Sequence, residues 1–91
     1  MKTSISNALA ELREAIFEEM TEILRTKKGR RAELSRSSSI QADGIETFKA
    51  VYLDEDDDIM VVSEFDGNDG EIPIALLTTD ELLEVYDELD V

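Results

Sequence analysis

The chain has 91 residues, nine of them basic and 23 acidic, for a formal charge of −14, and it contains neither cysteine nor histidine. Those two absences exclude disulfides, thiolate metal sites, cysteine nucleophiles, imidazole bases and histidine pH switches. One domain is the most that this length holds, and its 42% apolar content is enough for a single modest core.

With no Trp and only five aromatic residues (Phe17, Phe48, Phe65, Tyr52 and Tyr86), the core must be mainly Leu, Ile, Val and Ala. The charge is uneven. Residues 1–36 hold eight bases and six acids, a net of +2, whereas residues 37–91 set Lys49 alone against 17 acids, a net of −16. Such asymmetry points to a charged partner or to self-association. Acidity for solubility is the plain alternative. Glu11 and Glu14 interrupt the first apolar run, so no signal peptide is read, and no stretch approaches the roughly 18 apolar residues of a membrane span. A cytoplasmic, non-membrane protein is expected.

In chain order, residues 4–28 predict one long amphipathic helix. Ile5, Leu9, Leu12, Ile16, Met20 and Ile23 recur at spacings of three and four, which places them on one face. Ala8, Ala15 and Leu24 widen that stripe. Thr3 or Ser4 can cap the start, and Gly29 can end the helix. About 25 residues span roughly 37 Å, more than so small a sheet can cover. One end is therefore expected to overhang the sheet or to pack on another copy.

Residues 30–44 form a basic, Ser-rich connector, with an edge strand at about 32–40 as the alternative. Asp43-Gly44 marks a turn. Residues 45–53 and 59–65 are rich in β-branched and aromatic residues and predict a hairpin around the polar turn 54–58. Residues 72–77 predict a third strand, placed at an edge because Pro73 cannot donate to a ladder. Thr78 and Glu81 form a capping box, and Leu82, Leu83, Tyr86 and Leu89 give a helix over 79–89 its apolar face. The expected fold is α+β: a three-strand antiparallel meander, with a long first and a short last helix packed on one face.

Two charged groups are candidate interaction surfaces. The basic group is Arg25, Lys27, Lys28, Arg30, Arg31 and Arg36. The acidic group is Asp54, Glu55, Asp56, Asp57, Asp58, Asp66, Asp69 and Glu71. An EF-hand reading from Asp54 fails, because Ile59 stands where the loop needs glycine and Phe65 where it needs glutamate. The second acidic loop, Asp66 to Glu71, has turn chemistry instead. No phosphate-binding glycine loop or nucleic-acid signature is present. No cofactor, metal or small-molecule substrate is indicated, and no enzyme is expected.

The reading that best fits these features is a non-enzymatic interaction module that forms a homodimer through its long first helix. The first alternative is an acidic charge mimic that occupies the basic groove of a nucleic-acid-binding protein. It requires the acidic residues to form one continuous face. The second alternative, weak nucleic-acid binding through residues 25–36, is less favoured.

Overall fold

The computed structural model describes residues 2–89, with side chains from residue 4 onward. Helix α1 (Lys2–Arg25) leads through a 3-10 turn (Lys28–Arg30) into a sheet of β1 (Arg31–Glu33), β2 (Ser38–Gln41), β3 (Gly44–Leu53), β4 (Ile59–Phe65) and β5 (Asn68–Pro73). A second 3-10 turn (Ile74–Leu76) precedes helix α2 (Thr79–Leu89). All pairings are antiparallel. β3 is central: β4 lies along one edge, while β1 and β2 share the other.

Both helices bury their stripes in one core. Ile16, Met20 and Leu24 of α1 meet Leu82, Val85 and Leu89 of α2 over Phe48, Val51, Leu53, Ile59 and Val61 of the sheet. The expected α+β class and the packing of helices on one sheet face are therefore observed. The capping box is also present. The Thr78 N–H donates to Glu81 Oε1 at 2.7 Å, and the Glu81 N–H donates to Thr78 Oγ1 at 3.2 Å. It starts α2 where the sequence placed it.

Four boundaries differ from the sequence reading. First, α1 ends at Arg25 and not at residue 28. The Thr26 and Lys27 N–H groups bond back only three residues, to Ile23 and Leu24, and the chain then turns through positive φ at Gly29 and Arg30. Second, the helix is already formed at Lys2, so Ser4 lies inside it and is not its cap, and the Thr3 side chain falls outside the described residues.

Third, the doubtful segment 32–40 is two strands, so the sheet has five strands and not three. They flank the β-bulge at Lys49, where the ladder of β3 shifts register between Phe48 and Ala50. Fourth, the last strand is Asn68–Pro73 and not 72–77. Asp66 and Gly67 alone make the turn, both at positive φ, which matches a tight two-residue hairpin. Pairing thus starts at once, with Asn68 opposite Phe65, and stops at Pro73. Ile74 then reaches the core from the 3-10 turn.

Gly44 opens β3 at φ +153°, and a Cβ there would lie 3.1 Å from the Phe65 ring. Gly44→Ala is expected to lower stability by about 1–2 kcal/mol. Urea unfolding of the two chains measures this, and an unchanged midpoint would refute it.

Candidate functional site

The two charged groups singled out in the sequence partly neutralise each other. The acidic turn between β3 and β4 lies beside the C-terminal end of α1. There the Arg25 guanidinium reaches Asp57 Oδ2 at 3.3 Å, and Arg30 pairs with Asp57 Oδ1 and donates to the Asp54 carbonyl at 3.1 Å. Asp57 is held below the usual carboxylate range, first by the Arg30 hydrogen bond and then by Arg25. Arg30 and Asp57 both sit at positive φ, a conformation that costs a non-glycine residue energy. Two adjoining turns are strained where this ion pair joins them.

The other basic candidates divide. Arg31 pairs with Glu33 at 3.0 Å, and Arg36 lies 3.9 Å from Glu88. Lys27 and Lys28 are exposed and make no ion pair among the described residues. Of six candidate cations, four are thus already opposite carboxylates of this chain. Competition from those internal acids weakens a phosphate-binding role.

The acidic candidates fall in three places: the β3–β4 turn, the β4–β5 turn and β5. Asp54 to Asp58 occupy the β3–β4 turn, and Asp66 occupies the β4–β5 turn at the other end of β4. Seven residues of β4 set these turns roughly 20 Å apart. Asp54, Asp56 and Asp58 bring carboxylate oxygens within 4.8 Å of one another. However, Asp54 Oδ1 already accepts the N–H groups of Asp56 and Asp58, both at 2.9 Å, which is ordinary turn chemistry.

Asp69 and Glu71 lie on β5, with Asp69 two residues past the Asp66-Gly67 turn. Lys49 reaches Asp69 at 3.6 Å and Glu64 at 3.0 Å. Its pKa is raised, mainly by the hydrogen bond to Glu64 and then by the charge of Asp69. Tyr52 donates its hydroxyl to Glu71, and that bond, with burial, raises the phenol pKa. Lys49 thus lies among these acids and offsets part of their charge, which weakens the charge-mimic reading.

Two sets of functional side chains were missed in the sequence. The first is a glutamate clasp on α2. Glu88 Oε1 accepts the N–H of Ser35 at 2.8 Å and that of Arg36 at 3.2 Å, and Oε2 accepts the Ser37 hydroxyl. Glu84 Oε1 accepts the Ser38 N–H at 3.1 Å. The Glu88 side chain is only 8% exposed. Burial pushes its carboxyl up, but the bonds from Ser37, Ser35 and Arg36 outweigh that and hold it at about 2. Burial likewise opposes ionisation of Glu81, and bonds from Ser39 and Thr78 bring its pKa below the usual value. One face of α2 thus secures the whole serine run.

The second is Arg13. Its guanidinium donates to the carbonyls of Leu77 at 2.8 Å and Ala75 at 3.1 Å, and to Thr79 Oγ1 at 3.2 Å. It also lies 5.6 Å from the centre of the Phe17 ring. Arg13 fixes the middle of α1 against the start of α2. Arg13→Ala is expected to cost about 1–3 kcal/mol, since it leaves the part-buried Leu77 carbonyl without this donor. Thermal unfolding tests this, and a variant as stable as the parent would count against the anchor.

N-terminal to Arg13, α1 is uncovered. Every described side chain from residue 4 to residue 12 is exposed, including Ile5 at 60%, Leu9 at 46% and Leu12 at 43%. The same stripe becomes buried at Ile16 and Met20, which join the core formed with α2 and the sheet. It runs into a groove between the helices, about 290 Å³ in volume, lined by Leu12, Ala15, Ile16, Glu19, Leu83 and Tyr86. Leu83, 40% exposed, forms its far wall. The overhang expected from helix length is present, and it is apolar. Among the described residues, no helix is long and apolar enough to cross a membrane. No family model, no curated protein and no solved structure matches the chain.

Proposed function

We propose that the chain is a non-enzymatic interaction module that self-associates through the N-terminal half of α1. One observation carries this reading. Ile5, Leu9 and Leu12 continue the buried stripe of α1 for about two further turns with nothing packed on them. Isolated helical turns are marginal in water, so an apolar extension of this kind gains most from a surface that covers it.

Charge favours a second copy as that surface. A chain at −14 repels its own copies wherever acids face each other. The first ten residues contain no acid, and Glu11 and Glu14 do not share the stripe's face. The overhang is thus an acid-free stretch at which two copies can meet without that repulsion. Static light scattering across a wide concentration range tests the reading. A dimer mass at high concentration supports it, and a monomer throughout would remove it.

A further inference from the structure

Given that self-association, we infer where the overhang docks: the Ile5 end of α1 fills the groove between α1 and α2 of a second copy, and the exchange is reciprocal. Ile5, Leu9, Leu12 and Ile16 are spaced by 4, 3 and 4, the alternation of a two-helix seam. An antiparallel register that sets Ile5 opposite Ile16 also sets Leu9 opposite Leu12. Two apolar layers then form, and each repeats by the two-fold axis.

The groove suits this occupant. Leu12, Ala15, Ile16, Leu83 and Tyr86 offer an apolar lining, and its 290 Å³ leaves room for an aliphatic side chain. Ala8 and Ala15 flank the seam with small side chains, so two helices can approach closely. Arg13 already holds α1 against the start of α2, which keeps the groove formed before a partner arrives.

Charge selects the antiparallel arrangement. Residues 1–10 have Lys2 as their one charge, whereas residues 11–22 carry five acids and Arg13. Antiparallel pairing sets the acid-free stretch of each copy against the acidic stretch of the other. Parallel pairing would align Glu11, Glu14, Glu18 and Glu19 with themselves, at a cost in repulsion.

Because the chain has no cysteine, introduced thiols report contacts without interference. Ile5→Cys and Leu83→Cys chains are mixed and oxidised at a concentration where light scattering gives the dimer. The expected product is the mixed 5–83 disulfide, formed at least ~10-fold over either homodimer, because only facing residues satisfy disulfide geometry. Leu9→Cys mixed with Leu12→Cys is a second pair that leaves the α2 wall of the groove, Leu83 and Tyr86, untouched, and it is expected to link in the same heterotypic way. Ile5→Cys linking mainly to itself would show parallel helices and overturn the docking while leaving self-association intact. A scattering dimer in which neither pair links would place the contact elsewhere and overturn both readings. A monomer would end the docking together with the function it rests on.

Discussion

Glu88→Ala is expected to lower stability by about 3–4 kcal/mol, the largest loss from any single polar side chain in this fold. The variant removes the acceptor of the Ser35 and Arg36 N–H groups and leaves the hydroxyl of Ser37, a residue only 1% exposed, with only the Glu84 carbonyl at 3.4 Å. In a domain of this size that loss lowers the melting temperature by on the order of 15 °C. The effect is also linked to pH. Glu88 titrates at about 2 in the folded chain and near 4.5 without its partners. Its ionised form therefore stabilises the fold fully above pH 4.5, and that contribution declines as pH falls toward 2. The difference corresponds to about 3 kcal/mol. Glu88→Gln, which cannot titrate, should lose stability less steeply than the parent between pH 4.5 and 2. Urea unfolding at a series of pH values compares them, and parallel curves would show that the carboxylate is not the clasp.

Leu9→Glu is expected to dissociate the dimer and leave the monomer folded. Leu9 is outside the core, so its replacement changes the stability of the monomer by no more than ~0.5 kcal/mol. In the assembly the same change buries a carboxylate without a partner and weakens association by at least ~100-fold. Leu9→Lys separates apolar contact from repulsion, since it makes the chain less acidic. Both variants should be monomeric if apolar contact drives association. Sedimentation equilibrium gives the masses and circular dichroism checks the fold. A dimer that persists in Leu9→Glu would rule this face out.

Local signals in the chain were faithful. Thr78 and Glu81 announced α2, because a capping box needs only four consecutive residues. The spacing of Ile16, Met20 and Ile23 announced the buried side of α1 for the same reason, although Leu24, read as the stripe's flank, is buried more deeply than Ile23. What escaped the sequence reading depends on residues far apart in the chain. Glu88 pairs with Ser35, 53 residues away, and Arg13 with Thr79, 66 residues away. Glu81, Glu84 and Glu88 do recur at spacings of three and four on one helical face, and the serine run does offer unpaired N–H groups. Neither pattern names the other.

The strands β1 and β2 were obscure because a bulge at Lys49 divides their partner strand, and no periodicity in residues 31–41 shows it. The candidate charged surfaces were read by composition. Arg25 and Arg30 turned out to face Asp57, so the uneven charge along the chain is in part an internal contact between the end of α1 and the β3–β4 turn.

The central claim is that the exposed part of α1 is where two chains meet. Amide hydrogen exchange at low and high protein concentration tests both the association and its location. Self-association through α1 predicts that amides of residues 6–12 exchange at least ~10-fold more slowly in the concentrated sample, while those of the central strands β3 and β4 are unchanged. Exchange in residues 6–12 that does not depend on concentration would contradict it.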